Sequence, residues 1–523
     1  MSTPENNAPP DSHNLVRQGT VVSSMTMLSR ISGFGRDVVL SHFFGAAAAA
    51  DAFFVAFRIP NYFRRLFAEG AFAQAFIPVL ADYNDGPVER LKHFVRVMAG
   101  NLLLVVSLVT LVGVLAAPLF VVIFAPGFSD QSEQFALTAE LLRVTFPYLV
   151  FISLTAFASA VLNSKGQFAI PAFTPVLLNL CLIVAALAVT PLFETKVMGL
   201  AWGVFAAGIL QFLFQLPAIR RLELLSRPRL DFNDPGASQV GRLLLPAVVA
   251  ASASQINTLI DTMLASTLVT GSISWLYYAD RLLELPVGLV AVALGTVLLP
   301  NLSRLHATGE PESFSTTLDW GVRMAIVLGL PAAAALYVLA LPLVSGIFLH
   351  GQMTSYDVQM SALAVKAFSA GLVGILLVKV LAPGYFARKD TRTPLNFAFI
   401  AVGLNVVLNL SLYKIMGHVG LALATSAAAL VNGALLLRGL IRRGVYKPSA
   451  LASKTLLQTC AGVLAMVAVL VGLGPVESYW LQAAMVDRWL WIGVLCVAGA
   501  AAYACIAMLC GLRLASLKHS LQS

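Results

Sequence analysis

Residues 51–78 read DAFFVAFRIPNYFRRLFAEGAFAQAFIP. The stretch is long enough to cross a bilayer as one helix, since about 20 mostly apolar residues span the hydrocarbon core. Yet it carries five charged side chains: Asp51, Arg58, Arg64, Arg65 and Glu69. Asp51, Arg58, Arg65 and Glu69 follow one another at steps of seven, seven and four. On an ideal helix they fall within about 40° of each other, one polar stripe on an apolar rod. Pro60 is expected to bend this helix and rotate the residues after it. Spacing therefore leaves open whether Arg64 or Arg65 lies with the stripe.

The stretch recurs. DAFFVAFRIP (51–60) matches SWLYYADRLLELP (274–286), which sets Arg58 over Arg281. FIPVL (76–80) matches LLPNL (298–302), LNSKGQFAIP (162–171) matches FARKDTRTP (386–394), and MGLAWGVFAAGIL (198–210) matches VGLALATSAAALV (419–431). The offset stays near about 223 residues and the order is kept. One such match is weak evidence; four in register indicate an internal duplication. Each copy holds six expected helices, an even number, so both copies have the same orientation. That is a parallel repeat about an axis along the membrane normal, with the transport cavity expected where the copies meet.

Composition agrees. The chain has 523 residues, 59% hydrophobic and 11% charged, with a mean hydropathy of +0.84. Apolar stretches at 21–45, 51–79, 95–124, 136–161, 171–191, 197–218, 239–267, 273–300, 318–345, 357–384, 394–413, 418–438, 455–474 and 488–512 give about fourteen expected spans. The expected fold is an all-α polytopic membrane protein. It has a polar cytoplasmic tail (1–18), an N-lobe of helices 1–6 (19–222), a cytoplasmic linker (223–238), a C-lobe of helices 7–12 (239–443), and helices 13–14 with a final tail (444–523). No short signal-peptide core with a cleavage site opens the chain. All five cysteines fall in apolar stretches without metal-ligand spacing.

Net charge is +9, and its distribution orients the chain. With the N-terminus inside, inner connections collect Arg90, Lys92, Arg96, Lys165, Arg220, Arg221, Arg227, Arg229, Arg304, Arg388, Lys389, Arg392, Arg438, Arg442, Arg443, Lys447, Arg513 and Lys518. Outer connections hold little beyond Lys196, Lys414 and Arg488. The positive-inside rule then expects both termini in the cytoplasm. The basic excess reads as topology and contact with anionic membrane lipid, not nucleic-acid binding.

Arginines inside spans need a reason, because each costs on the order of 3 kcal/mol at a helix centre. Helix 1 (SSMTMLSRISGFGRDVVL) carries Ser29, Arg30, Arg36 and Asp37, with Gly33 and Gly35 between the arginines. Arg30 and Asp37 share a face, and the glycines allow close helix approach. Helix 8 carries Asp280, Arg281 and Glu284, with Tyr277 one turn before the arginine. The bland reading is internal ion pairs such as Arg30 with Asp37, which add little net stability. The functional reading is a cavity for an anion, since the planar guanidinium suits bidentate phosphate recognition.

Taken together, SSMTMLSRISGFGRD, DAFFVAFRIPNYFRRLFAEGAFAQAFIPVLADY, WLYYADRLLELPVGLVAVALGTVLLP and VKVLAPGYFARKDTRTP resemble the MurJ (MviN) family of lipid II flippases. That family sits in the MOP exporter superfamily, beside multidrug and oligosaccharide-lipid exporters. The resemblance runs from about residue 15 to the C-terminus, and RRLFAEGAF with YYADRL is its most specific part. It implies transfer of lipid II, an undecaprenyl-diphosphate-linked disaccharide-pentapeptide, from the inner to the outer leaflet of the bacterial cytoplasmic membrane. It implies that Arg30, Arg36, Arg64 and Arg281 line the cavity, with Ser29, Asp51, Arg65, Glu69, Asp280 and Glu284 as polar neighbours. Family precedent thus favours Arg64 over Arg65. The last two helices are implied to form a groove for the polyprenyl tail. The expected working unit is a monomer, with a cell-wall synthesis complex as a wider partner.

A second site is expected in the C-lobe. Asn405 and Asn409 are one turn apart, Asp261 is an acid inside helix 7, and Thr425 lies in helix 12. These hard oxygen ligands suit Na⁺ as a coupling ion; the bland reading is interhelical hydrogen bonding. Rival functions are weaker. A cationic-drug antiporter should have acids dominating its cavity. An exporter of another polyprenyl-diphosphate-linked saccharide shares the diphosphate and stays open. A membrane transferase should carry DD or DxD acids for Mg²⁺, and a P-loop should mark ATP use; neither motif occurs. A scaffold would need no charges at mid-membrane depth.

Overall fold

A computed structural model describes residues 12–65, 71–84 and 86–512. Glu69 and the terminal tails lie outside them. Every described stretch of regular structure is helical, and each of the fourteen apolar stretches is carried by a helix or by a broken pair of helices. By length and composition, nine described helical segments can cross a membrane, or ten when the pair Ser355–Ser369 and Leu372–Phe386, bent by 42°, counts as one. The chain is therefore a multi-pass membrane protein. In such a protein helix is the expected backbone state, because lipid offers no partners for unpaired amide groups.

The chain divides into two units between Leu259 and Ile260, with Gly45–Ala47 joining the second. The first unit contains α1 (Ser12–Phe44), α2 (Ala48–Arg64), α3 (Ala71–Asn84), α4 (Val88–Leu115), α5 (Ala117–Phe124), α6 (Ser132–Thr145), α7 (Tyr148–Ser164), α8 (Ala169–Val184) and α9 (Val197–Arg221). The opening part of α10 (Pro235–Ser266) also belongs to it. Helix α2 continues through Pro60 to Arg64. Here α2 packs on α6, α4 on α7, α7 on α9, α8 on α9 and α1 on α8. The core is aromatic: Phe72 stacks on Phe76, Phe76 on Phe94, and Phe94 on Tyr83 at 4.2 Å.

The second unit takes the end of α10 and α11 (Ser272–Ala307), α12 (Pro311–Val338), α13 (Ala340–Phe348), α14 (Ser355–Ser369), α15 (Leu372–Phe386), α16 (Arg392–Met416) and α17 (His418–Arg442). It also holds α18 (Ala450–Leu473), α19 (Glu477–Gln482) and α20 (Met485–Leu509). Here α11 packs on α14, α12 on α15, α15 on α17 and α16 on α17. Shifted by the sequence offset, these four match four of the five pairings of the first unit. The duplication read from sequence is thus also a duplication of packing. Helices α18 and α20 pack on each other and α18 on α12. Their uncovered faces are apolar, with Leu457, Leu464, Val471, Leu490 and Val497 exposed, as lipid contact requires.

In each unit the chain leaving the sixth expected span is fastened to a long helix. In the first unit Asn101 of α4 exchanges hydrogen bonds with the backbone of Asp231, at 2.7 and 3.0 Å. Arg229 N–H donates to the Arg96 carbonyl at 3.1 Å. In the second unit Asp319 of α12 accepts from Tyr446 Oη at 2.9 Å, Ser449 N–H at 3.1 Å and Ser449 Oγ at 2.7 Å.

Candidate functional site

Helix α1 presents its two arginines differently. Arg30 is exposed, and among the described residues it has no ion-pair partner. Arg36 is 8% exposed. Its Nε and Nη2 donate to Asp37 Oδ1 at 2.9 and 2.7 Å, and its Nη1 donates to Asn179 Oδ1 of α8 at 3.0 Å. The expected pairing of Arg30 with Asp37 is therefore replaced by one between chain neighbours. Seven residues separate Arg30 from Asp37, about 10 Å of helix rise, whereas the long Arg36 side chain folds back on the adjacent carboxylate. Asn179 completes the joint by donating to Ser32 Oγ at 2.9 Å and to the carbonyl of Ser29 at 3.1 Å. Gly33 is not required for this approach: a Cβ there would make ordinary van der Waals contact with Asn179 Nδ2, at 3.4 Å. A Cβ on Gly35 would meet nothing within 4 Å among the described residues, so the expectation that these glycines allow close helix approach finds no support in the packing described.

Helix α2 carries the stripe. Asp51 is buried in its first turn, where the helix dipole favours an acid. Arg58 is half-buried. Arg64, also half-buried, donates Nε to Asn61 Oδ1 at 3.0 Å. Arg65 is exposed and donates Nη1 to Gln255 Oε1 of α10 at 3.0 Å. Consecutive residues on a helix point about 100° apart, and the two arginines indeed have different partners.

In the second unit Arg281 donates Nη1 to Glu284 Oε2 at 2.6 Å and lies over the Tyr277 ring, 4.9 Å from its centroid. The two side chains keep 29% and 53% of their exposure. Asp280 is half-buried beside them. Tyr278, next in the chain, donates its hydroxyl to the Gly45 carbonyl at 2.8 Å. Separately, the four C-lobe oxygen residues meet. Asn409 Nδ2 donates to Asp261 Oδ1 at 2.6 Å and to Asn405 Oδ1 at 2.9 Å, and Asn405 Nδ2 donates to Thr425 Oγ1 at 3.3 Å. Asn405 and Asn409 are fully buried. Asn409 Oδ1 is a buried oxygen with no donor among the described residues.

Several charged groups have no role assigned from sequence: three lie inside the spans, and Arg488 is placed only in an outer connection. Arg323 and Asp319 form a buried pair on α12 at 3.3 Å. Lys379 stands exposed on α15. Arg488 caps α13 by donating to the carbonyls of Ser345 at 2.7 Å and Leu349 at 3.2 Å. Their one signal was charge within an apolar run, the signal that singled out the other arginines.

The family of lipid II flippase MurJ matches residues 40–494. The chain belongs to the MurJ family. A Vibrio cholerae protein named "Probable lipid II flippase MurJ" is 44% identical over 519 residues, covering 97% of this chain and 98% of its own. A Burkholderia cenocepacia "Lipid II flippase MurJ" is 42% identical over 444 residues, covering 83% of this chain and 86% of its own. Among solved structures, a lipid II flippase MurJ in an inward closed conformation aligns with a TM-score of 0.79 at 26% identity, covering 94% of this chain and 98% of that one. An inward-facing multidrug transporter of the MATE family aligns at 0.64 and 15% identity, covering 82% of this chain. The second likeness concerns fold alone, so fold does not separate a MurJ protein from a drug transporter. The sign of the charges placed on the helices has to do that.

Proposed function

We propose that this MurJ-family protein flips lipid II from the inner to the outer leaflet of the bacterial cytoplasmic membrane. Full-length relatives that carry that activity in their names support the cargo. The observation that carries the chemistry is Arg281. Its guanidinium is shared with Glu284 in a partly exposed pair, a kind of pair worth only about 0–1 kcal/mol. An arriving diphosphate can displace that carboxylate. Arg30, exposed on α1, and Arg64, half-buried on α2, supply further donors, while Ser29, Asp51, Arg65, Glu69, Asp280 and Glu284 set the surrounding polarity.

The mechanism is alternating access. A diphosphate with a sugar-peptide head cannot cross hydrocarbon unaided, so guanidinium donors replace its hydration. The two repeats rock about the bound head group, and carboxylates reclaim the arginines as it leaves. The polyprenyl tail stays in lipid along α18 and α20. The protein acts as a monomer with both termini in the cytoplasm, and its wider partner is the cell-wall synthesis machinery.

A second reading concerns coupling. We infer that Asp261, Asn405, Asn409 and Thr425 hold Na⁺. The buried Asn409 Oδ1, without a donor among the described residues, is what a hard-oxygen site for a cation offers.

The test replaces Arg30, Arg64 and Arg281 singly with Ala in cells that depend on this chain and measures lipid II exposed outside. Loss of exposure in each variant is expected. Full exposure in all three would remove the diphosphate cavity. Lost viability with unchanged lipid II exposure would point to another polyprenyl-diphosphate saccharide, and export of cationic drugs by the wild type to an antiporter.

A further inference from the structure

Three connections of the second unit meet around a cavity of about 390 Å³, within the range of small-molecule sites, about 300–1,000 Å³. The junction of α11 and α12 contributes His306, Glu310 and Phe314, the turn between α15 and α16 contributes Arg388, and the residue after α17 is Arg443. With both termini inside, as proposed above, this is the cytoplasmic end of the unit. His306 follows Arg281 by 25 residues of the same helix, about 37 Å of rise. The cavity is therefore not the place where Arg281 meets Glu284.

The charges lining it do not balance: two guanidiniums and an imidazole stand against one carboxylate, Glu310. That carboxylate is already engaged. Thr308 donates Oγ1 to its Oε1 at 2.7 Å, and hydrogen bonds from Thr308 and Ser313, with the nearby charge of Arg304, hold it below the usual carboxylate range. Arg443 is fixed by Asp390 Oδ2 at 2.5 Å and Thr393 Oγ1 at 2.8 Å. Arg388 is half-buried, and its guanidinium has no hydrogen-bond or ion-pair partner among the described residues. The turn that carries it is shaped by other contacts: Asp390 accepts from the Thr393 amide at 3.0 Å and from the Thr393 hydroxyl at 2.7 Å. Positive-inside topology asks only for a cation near the helix end. It does not ask for one half-buried in a cavity with its donors unused.

We propose that this cavity binds a phosphate group, with Arg388 as its main donor and Arg443 and His306 as further ones. A tetrahedral oxyanion suits donors that arrive from separate elements, and a guanidinium meets it through charge-assisted hydrogen bonds. The phosphate comes either from the head group of a membrane lipid or from a soluble phosphate in the cytoplasm; the chemistry recognised is the same. Bound there, it joins the junction of α11 and α12 to the ends of α15 and α17.

The experiment compares the purified full chain with Arg388→Gln, His306→Gln and Arg442→Gln, the last an exposed cation beside Arg443 that does not line the cavity. Thermal unfolding is followed in detergent against inorganic phosphate, with chloride at matched ionic strength, and in phosphatidylcholine nanodiscs with and without phosphatidylglycerol. A ligand that binds only the folded chain raises Tm. Wild type and Arg442→Gln are expected to show that rise. Arg388→Gln is expected to need at least about tenfold more ligand for it, and His306→Gln a smaller excess. Without ligand, Arg388→Gln should keep the wild-type Tm, because its side chain has no partner to lose. A rise with inorganic phosphate assigns the soluble source, and a rise with phosphatidylglycerol alone assigns the lipid. No rise with either overturns the proposal, as does an undiminished rise in Arg388→Gln. An equal loss in Arg442→Gln also overturns it, by reducing the effect to surface charge. Should Arg388→Gln fail to fold, His306→Gln decides by the same measure. No transport is measured, so the result stands whether or not the cargo is lipid II.

Discussion

Asn409 Nδ2 lies 2.6 Å from Asp261 Oδ1, an amide of α16 donating to a carboxylate of α10. The contact leaves Asn409 Oδ1 buried with no donor among the described residues. Leaving a buried acceptor unsatisfied costs about 1–3 kcal/mol, which a bound cation would recover.

Asp261→Ala is accordingly expected to abolish any stimulation of lipid II transfer by Na⁺, and Asn409→Ala to weaken it by about tenfold, because one oxygen ligand is lost while the acid remains. Transfer rates in vesicles with and without a sodium gradient check this. Wild-type rates indifferent to Na⁺, together with an unaffected Asp261→Ala, would leave only the interhelical hydrogen bond.

The loop between α15 and α16 makes a prediction in pH. Burial pushes the Asp390 carboxyl up, but the Thr393 amide and hydroxyl and the Arg443 guanidinium, 2.5 Å away, outweigh it and hold the group at about 2. Its pKa is thus lower folded than unfolded. The stabilisation is complete above the ordinary value of 3.8 and is lost as pH falls toward about 2. Allowing for solvent screening at a partly exposed pair, it amounts to on the order of 1 kcal/mol. Asp390→Asn should lower Tm at pH 7, and the difference from wild type should shrink in scans below pH 3.8. An equal difference at both pH values would mean that the carboxylate charge contributes nothing.

These cases mark how far the sequence could be read. Helix positions and the duplication were legible because apolar length and the repeated charge pattern of DAFFVAFRIP and SWLYYADRLLELP are one-dimensional signals. The C-lobe oxygen residues were legible because polar atoms in apolar helices are rare enough to be grouped by inspection. The partner of Asp37 was not, since helical periodicity ranks Arg30 above the adjacent Arg36, and only side-chain folding reverses that order. Asn179 was also missed, being one amide in the apolar run AIPAFTPVLLNLCLIV. Tyr446 and Ser449 lie outside the spans, and nothing local marks them as ligands of Asp319 more than a hundred residues earlier.

That cluster carries its own prediction. Asp319 balances the buried Arg323 and gathers Tyr446 and Ser449. Asp319→Ala should cost about 3–5 kcal/mol by leaving Arg323 uncompensated. Tyr446→Phe should cost only about 1 kcal/mol, the worth of one hydrogen bond. Thermal unfolding of the purified variants separates the two. Equal losses would show that the charge of Asp319 is immaterial and that its hydrogen bonds alone hold the segment before α18.

The strap between α9 and α10 is set by a glycine. A Cβ on Gly100 of α4 would stand 2.2 Å from the carbonyl oxygen of Arg229 and 2.6 Å from its carbonyl carbon. These are backbone atoms that cannot swing aside as a side-chain tip can. Gly100→Ala must therefore push the strap off α4, breaking the exchange between Asn101 and Asp231 and the bond from Arg229 N–H to the Arg96 carbonyl. Alanine favours the helix by about 1 kcal/mol over glycine, so α4 itself should survive, and the damage should be local. Limited proteolysis reads this directly: cleavage between residues 222 and 234 should accelerate at least about tenfold, as expected for a freed loop tip, while the rest of the chain keeps its wild-type pattern. Asn101→Ala removes the hydrogen bonds without the clash and should give a smaller acceleration. A strap equally resistant in wild type and Gly100→Ala would mean that the backbone crossing is not maintained in the membrane protein.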